Sequence, residues 1–210
     1  TPFEKIRKNI DYGANVIIYG DNVLESEEHV NFLVKKNGYI KIHPFDDYDI
    51  IHGQGTLALE MLEKFPHINK LYIPVGGGGL ISGCAIVAKA INKKIKVIGV
   101  ETYNFPSLYN VYYKKNKPFY KSTIAEGVAV KKIGKKNLPI IRKYVDKTVL
   151  VKESSVEKAI SLFLMHDKSL VEGAGALGLA AVLENENTNK NDNIGIIACG
   201  GNLDSRVLSS

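Results

Sequence analysis

The sequence predicts an α/β fold built on a doubly wound parallel sheet. Short, continuously apolar runs alternate along the chain with longer segments of helical periodicity, as expected for a parallel sheet whose two faces are covered by helices. One strand-to-helix connection consists of four consecutive glycines, which is typical of a ligand-binding turn at a sheet edge. With 210 residues, 45% of them hydrophobic and 24% charged, the chain is large enough to bury a sizeable core.

The first 45 residues are predicted to form a β-α-β unit that belongs to a smaller domain. Apolar runs at 14–19 and 39–43, bounded by glycine, asparagine or proline, predict two strands. Residues 24–36 between them place apolar side chains on a helical period and end at an Asn-Gly pair, which is a common helix stop. The connection is long enough for a right-handed crossover, so we divide the chain into 1–45 and a larger domain, 46–210.

The larger domain continues the alternation of helix and strand. Thr56 has the character of an N-cap for a helix at 57–64, which ends before Pro66. Residues 104–121 are aromatic and polar without a clear period and predict an irregular segment. The remaining elements are predicted at 71–75 (strand), 80–91 (helix), 96–101 (strand), 138–146 (helix), 148–151 (strand), 154–167 (helix), 173–183 (helix) and 194–198 (strand).

The glycine run Gly76–Gly79 predicts a phosphate site. Glycine loses more backbone entropy on folding than other residues, so four in a row indicate that bare backbone approaches a ligand. The following helix N-terminus adds free amides and the positive end of its dipole, which favour an anion. A dinucleotide site is disfavoured because the spacing G-G-G-G-L-I-S-G differs from its fingerprint, and a P-loop is excluded because no Lys-Ser or Lys-Thr pair follows.

Composition and charge exclude several classes of protein. No apolar run approaches the ~20 residues of a bilayer span, and the first residues lack the apolar stretch of a signal peptide. Cys84 and Cys199 lie in apolar or glycine-rich settings, which predicts a reducing, cytoplasmic location rather than a disulfide scaffold. The net charge is +6, and eight lysines lie from Lys114 to Lys136 against one acid, Glu126. Because this segment has no arginine and no nucleic-acid motif, we interpret it as solvated surface and expect no nucleic-acid or membrane partner.

Short motifs follow one another along nearly the whole chain. They are Thr1-Pro2, Gly13-Ala14, Gly20-Asp21, His43-Pro44-Phe45-Asp46-Asp47, Gly53-Gln54-Gly55-Thr56, Pro74-Val75-Gly76-Gly77-Gly78-Gly79-Leu80-Ile81-Ser82-Gly83, Ile98-Gly99-Val100-Glu101, Thr123-Ile124-Ala125-Glu126-Gly127, Val171-Glu172-Gly173-Ala174-Gly175-Ala176 and Gly200-Gly201-Asn202. In this order they resemble the fold-type II pyridoxal-phosphate enzymes, specifically the threonine dehydratase (threonine ammonia-lyase) and serine racemase group. The resemblance implies a tryptophan-synthase-β-like fold with two domains, of which the smaller is incomplete.

The resemblance also implies a cofactor and a reaction. The cofactor is pyridoxal 5'-phosphate, and the reaction is β-elimination from L-threonine or L-serine, which gives 2-oxobutanoate or pyruvate and ammonia. Such a lyase belongs to amino-acid metabolism, in threonine catabolism or isoleucine biosynthesis, and its members are expected to be dimers or tetramers. Two alternatives remain open from the sequence: a serine-racemase-like enzyme, and a non-catalytic phosphate- or nucleotide-binding α/β domain.

The candidate site residues follow from the same resemblance. They are Gly76, Gly77, Gly78, Gly79, Leu80, Gly127, Glu172 and Cys199. The glycines match the loop that holds the cofactor phosphate, and Gly127 and Glu172 match positions that line the same pocket. Cys199 occupies the position, usually serine, whose side chain meets the pyridine nitrogen. Without the resemblance, Cys199 would be interpreted as a core cysteine and Glu172 as an acid at a helix N-terminus.

The sequence departs from the family pattern in one decisive respect. The family binds the cofactor aldehyde as a Schiff base on a lysine in a Ser-Phe-Lys-x-Arg-Gly motif and binds the substrate carboxylate with a Ser-x-Gly-Asn-His motif, and neither motif occurs in these residues. We therefore expect an internal fragment of a longer, full-length protein, with no catalytic residue of its own and no activity alone. Some members have a cation site that begins at the position of Glu101, but Ser107 stands where a further acid is needed, so no metal is expected.

Overall fold

The computed structural model describes residues 3–21, 23–184 and 189–201, which fall into two units that divide between His43 and Pro44. In the first unit, α1 (Phe3–Asp11) and α2 (Val23–Asn37) are helical. The helix predicted at 24–36 is confirmed, whereas α1 was not predicted. The motif residues Thr1, Pro2 and Asn202 lie outside the described residues.

The two strands predicted in the first unit are not formed. Residues 14–19 and 39–43 make no β-ladder with any segment that the structure describes. Their apolar side chains are largely in solvent, with Ile18 75% and Ile40 91% exposed. A strand requires a neighbour to accept and donate its backbone hydrogen bonds, and an apolar run without such a neighbour satisfies these groups with water instead. The β-α-β prediction for this unit is therefore wrong at both strands.

The second unit contains a four-stranded parallel sheet among the described residues. Its elements in chain order are α3 (Tyr48–Lys64), β1 (Lys70–Pro74), α4 (Gly79–Ile91), β2 (Lys96–Thr102), α5 (Ser107–Tyr113), a 3-10 turn (Glu126–Val128), α6 (Asn137–Tyr144), β3 (Lys147–Val151), α7 (Glu153–Leu162), a π-helical turn (Phe163–Asp167), α8 (Gly173–Glu184) and β4 (Ile194–Ile196). The strand order is β3-β2-β1-β4, and Tyr72 of β1 pairs with Ile98 on one side and Ile196 on the other.

Both faces of the sheet are covered, which confirms the predicted doubly wound α/β fold. Leu71 and Ile73 of β1, and Val75 directly after it, enter one apolar core, which also contains buried residues of α3, α4 and α6. Tyr72 points into a second core formed with α7 and α8. The alternation of side chains along one buried strand explains why the strand is apolar throughout.

Several helix boundaries differ from the predictions. α3 begins at Tyr48 rather than at residue 57, and its N-cap is Asp47, whose carboxylate accepts the Asp49 N–H at 2.9 Å. α5 lies within the segment predicted to be irregular, and the α-helix predicted at 154–167 ends at Leu162, where a π-helical turn replaces it. No helix among the described residues is long and apolar enough to cross a membrane.

Candidate phosphate and cofactor site

The glycine turn presents backbone N–H groups at the carboxyl end of β1. Gly78 is the N-cap of α4, and its φ of 99° lies in the left-handed region that favours glycine. The backbone N–H groups of Gly76, Gly77 and Gly78 donate none of the hydrogen bonds found among the described residues, although Gly77 and Gly78 are buried. The first-turn amides of α4 also lack an acceptor within their helix. Buried amides without a partner are rare, so this turn is suited to an anionic ligand.

The outer side of the turn is closed by two side chains. The aromatic ring of Phe45 occupies the space that a Cβ on Gly77 would need, so only glycine allows this approach. The Asn137 amide nitrogen donates to the Gly77 carbonyl at 3.3 Å and to the Phe45 carbonyl at 2.9 Å. The Gly134 N–H also donates to the Gly77 carbonyl, at 2.9 Å. The outer side of the turn is therefore fixed by residues that are distant from it in the sequence.

Glu172 lies between the other candidate residues. It directly precedes α8, and its N–H donates to the Gly200 carbonyl at 2.9 Å. A Cβ on Gly127 would lie 3.2 Å from Glu172 Oε1, and a Cβ on Gly76 would lie 3.2 Å from the Gly127 carbonyl oxygen. The glycine turn, Gly127, Glu172 and the chain after β4 thus form one continuous group.

Cys199 follows β4, and its side chain packs against the apolar core that contains Cys84, close enough to Glu172 to be influenced by its charge. Burial raises the pKa of the Cys199 thiol, and the nearby Glu172 carboxylate raises it further. The side chain therefore stays a neutral thiol at neutral pH, a weak donor and acceptor rather than an anion. Both cysteines are free, and Cys84 is buried in the core.

The segment that carries Gly127 is fixed by Glu153 of α7. The Glu153 carboxylate accepts the Thr123 hydroxyl at 2.8 Å and the Ile124 N–H at 2.8 Å. The Thr123 hydroxyl oxygen in turn accepts the Ala125 N–H at 3.1 Å. These bonds determine where the 3-10 turn with Gly127 begins, so Glu153 supports the site without belonging to it.

Glu101, at which a cation site begins in some family members, is engaged by backbone instead. Its Oε1 accepts the Leu108 N–H and its Oε2 accepts the Tyr109 N–H, each at 2.7 Å. The side chain is fully buried, and burial raises the pKa of Glu101 to about 8. The described residues contain no cluster of three or more His, Cys, Asp or Glu side chains that could hold a metal ion.

The candidate residues lie where the strand order reverses. The chain passes from β1 to β2 and β3 on one side, whereas β4 lies on the other side of β1. The crevice beyond the carboxyl ends of β1 and β4 is the usual ligand site of such sheets. The glycine turn and Leu80 follow β1 at this edge of the sheet, and Cys199 follows β4. A separate groove of about 600 Å³, lined by the end of α3, the residues that follow it and β4, contains none of the candidates.

The residues present fit the phosphate and ring of pyridoxal phosphate. The turn would offer a phosphate dianion the positive end of α4 and amides that donate no hydrogen bond among the described residues, and Cys199 would offer a ring nitrogen a neutral polar atom. Sequence reasoning missed Asn137, Glu153 and the contact of Phe45 with the turn. No local pattern marks Asn137, since it is 60 residues from Gly77 and 92 from Phe45.

Comparisons with known proteins agree with this geometry. A family model described as "Pyridoxal-phosphate dependent enzyme" matches residues 1–200. The L-threonine ammonia-lyase of Thermotoga maritima is 40% identical over 209 residues, which are 99% of this chain and 52% of that protein. Maize serine racemase superposes with a TM-score of 0.91 and 32% identity over 99% of this chain and 65% of that chain. The processed form of threonine deaminase isoform 2 from Solanum lycopersicum has a TM-score of 0.88 and 33% identity over 100% of this chain and 59% of that chain.

The chain spans about half the length of the curated relatives it matches. The family match nevertheless extends over residues 1–200 and includes both the glycine turn and Cys199. Together with the glycine turn and the parallel sheet, this match shows that the chain belongs to the family of pyridoxal-phosphate dependent enzymes.

Proposed function

We propose that the chain is part of a pyridoxal-phosphate-dependent ammonia-lyase that converts L-threonine, and L-serine, into 2-oxobutanoate or pyruvate and ammonia. The observation that carries this proposal is the glycine turn, whose Gly76, Gly77 and Gly78 amides donate no hydrogen bond among the described residues and which lies near Gly127 and Glu172, in a chain similar to an L-threonine ammonia-lyase. When bound, the cofactor supplies the electron sink for the Cα carbanion from which the β-hydroxyl leaves.

The glycine turn binds and orients the phosphate in this proposal. Gly76–Gly79 and Leu80 direct backbone N–H groups at its oxygens, and the dipole of α4 favours the negative charge. Amide donors do not titrate, so this binding is maintained wherever the phosphate itself is ionised. Phe45 covers the outer face of the turn and excludes water from that side.

Cys199 and Glu172 control the electrostatics of the ring in this proposal. As a neutral thiol, Cys199 offers a facing ring nitrogen no negative charge, so it does not favour a protonated nitrogen. Glu172 is held by its backbone bond to Gly200 and brings a carboxylate beside Gly127. Both residues orient the ring between the glycine turn and the end of β4.

We further propose that the lysine which binds the cofactor covalently lies in the full-length protein, outside residues 1–210. Two findings support this: the family lysine motif is absent from the sequence, and the relatives are longer than this chain. Residues 1–210 alone are then inactive. The two free cysteines support a reducing, cytoplasmic setting, and similarity to an L-threonine ammonia-lyase supports a small amino acid as substrate. As the family resemblance implies, we also propose a homo-oligomer without nucleic-acid or membrane partners.

The test is a product assay on the full-length protein. With L-threonine and pyridoxal phosphate we expect 2-oxobutanoate and ammonia in equal amounts, and we expect neither product without the cofactor or from residues 1–210 alone. A protein that binds the cofactor and forms no oxoacid from either L-threonine or L-serine contradicts the lyase and favours a non-catalytic binding domain.

Serine racemisation is the second candidate, because maize serine racemase shares the fold over nearly the whole chain. The same preparation incubated with L-serine separates the two reactions. D-serine in excess over pyruvate would favour the racemase, whereas pyruvate without D-serine would favour the lyase.

A further inference from the structure

The orientation of one peptide group in the glycine turn is fixed from outside the turn. The Gly77 carbonyl accepts two hydrogen bonds, from the Gly134 N–H at 2.9 Å and from Asn137 Nδ2 at 3.3 Å. A peptide group is planar and trans, so its C=O and N–H point in opposite directions. Because the Gly77 carbonyl points toward Gly134 and Asn137, the Gly78 N–H must point away from them.

The next peptide group is fixed in the same way by α4. The Gly78 carbonyl accepts the Ser82 N–H at 3.0 Å, which directs that carbonyl along the helix. The Gly79 N–H of the same peptide group therefore points outward, beyond the helix N-terminus. The Gly78 and Gly79 N–H groups therefore each point away from the groups that bind the Gly77 and Gly78 carbonyls.

Asn137 is a polar side chain in a fully buried position. It is fully buried at the first position of α6, and its Nδ2 binds both the Gly77 carbonyl and the Phe45 carbonyl. Its Oδ1 has no hydrogen-bond partner among the described residues. A buried acceptor without a partner costs free energy, which an apolar side chain of similar size would avoid. The two hydrogen bonds that Nδ2 donates offset this cost.

We propose that Asn137 is a positioning residue for the phosphate site: it locks the Gly77–Gly78 peptide so that the Gly78 and Gly79 amides face the phosphate. It acts through the backbone of the turn and does not touch the ligand. This inference rests on the proposed function, because the phosphate in question is that of the cofactor.

The test compares two ligands that differ only in the phosphate. Dissociation constants of pyridoxal phosphate and of pyridoxal are measured for the full-length protein and for its Asn137→Ala and Asn137→Leu variants. We expect the constant for pyridoxal phosphate to rise about tenfold, the effect of one misdirected hydrogen bond to a charged group, and the constant for pyridoxal to stay within about twofold.

Asn110→Ala is the matched control. Asn110 also makes two hydrogen bonds to backbone, to the carbonyl and the N–H of Lys117, each at 2.9 Å, and neither involves the glycine turn. This variant should lose stability without changing the ratio of the two dissociation constants. A general loss of packing at Asn137 would raise the dissociation constants of both ligands by the same factor.

Three outcomes overturn the inference. If the ratio of the two dissociation constants is unchanged in both Asn137 variants, the role of Asn137 is contradicted and the proposed function is unaffected. If the wild-type protein binds pyridoxal phosphate no more tightly than pyridoxal, the role of Asn137 and the proposed function are both contradicted. If neither variant folds, amide resonances of the wild-type protein are followed during titration with inorganic phosphate. Gly78 and Gly79 are expected to show the largest shifts, and unmoved Gly78 and Gly79 resonances at saturation also overturn the inference.

Discussion

A buried carboxyl group holds the N-terminus of α5 to β2. Glu101 accepts two backbone N–H groups from that helix, and burial raises its pKa from 4.5 to about 8 despite these bonds. The folded protein therefore retains a proton at Glu101 at pH values where the unfolded chain has released it. The resulting stabilisation is complete below the unfolded pKa and is lost as pH rises through the folded pKa.

Glu101→Gln should flatten the dependence of stability on pH. We expect the free energy of unfolding of the full-length protein to fall from about pH 5 to about pH 8, and to fall less steeply in this variant, because glutamine has no proton to release. Urea unfolding at several pH values measures this slope. The exposed Glu126→Gln serves as the control for loss of one charge, and parallel slopes in wild type and Glu101→Gln would contradict the assignment.

Cys199 offers a second test at the scale of one residue. In Cys199→Ser a hydroxyl replaces a weakly hydrogen-bonding thiol at the position proposed to meet the ring nitrogen. We expect pyridoxal phosphate to dissociate several-fold more slowly, consistent with about 1 kcal/mol for one improved hydrogen bond. The control is Cys84→Ser in the core, which should lower stability without slowing dissociation. Equal dissociation rates for wild type and Cys199→Ser would place Cys199 away from the ring.

At the scale of elements, the packing of α3 on α4 depends on close backbone contact. A Cβ on Gly83 of α4 would overlap the Ile51 carbonyl oxygen and lie 2.6 Å from the Gly55 nitrogen of α3. No flexible side chain lies there to move aside, so the two helices themselves would have to separate. Since α4 begins at the glycine turn, this packing also determines where the turn lies.

Gly83→Ala should therefore destabilise the protein, by about 1–3 kcal/mol for an overpacked contact. Gly53→Ala is the matched control, because Gly53 lies in α3 with open space around its Cβ position. That variant should gain about 0.5–1 kcal/mol from the helix preference of alanine over glycine. Urea denaturation midpoints compare the two. Equal stability of the two variants would show that α3 and α4 are not in such close contact.

The elements also show what a single sequence predicts. The strands 71–75, 96–101 and 148–151 were found within a residue or two, because a run buried on both faces must be apolar throughout. Residues 14–19 and 39–43 have the same local character but no described neighbour to pair with. The start of α3 was missed because Gly53 and Gly55 resemble turn residues, whereas Gly55 serves the close contact with α4.

At the scale of the whole molecule, the candidate site is assembled from four distant stretches of chain. The glycine turn was predictable from local chemistry, since four glycines before a helix have few other uses. Gly127, Glu172 and Cys199 were identified through the family resemblance, and the structure places them in one group with the turn. Asn137 was not predictable, because its role exists only once α6 is packed behind the turn.

The strand order explains why these stretches meet. Parallel strands direct their carboxyl ends to one edge of the sheet, and the reversal between β1 and β4 opens a crevice there. The turn after β1 and the segment with Cys199 after β4 are therefore brought together by topology alone. The lysine-rich segment 114–136 brings Gly127 beside Gly76 and Glu172, while most of its charges remain at the surface.

The most direct test of the central claim is a crystal structure of the full-length protein grown with pyridoxal phosphate. We expect the phosphate oxygens to lie about 2.7–3.2 Å from backbone nitrogens of the Gly76–Leu80 segment, which is ordinary hydrogen-bond distance. We also expect the pyridine nitrogen to lie beside Cys199. A phosphate bound elsewhere, for example among the lysines of 114–136, would contradict the claim that the glycine turn is the cofactor site.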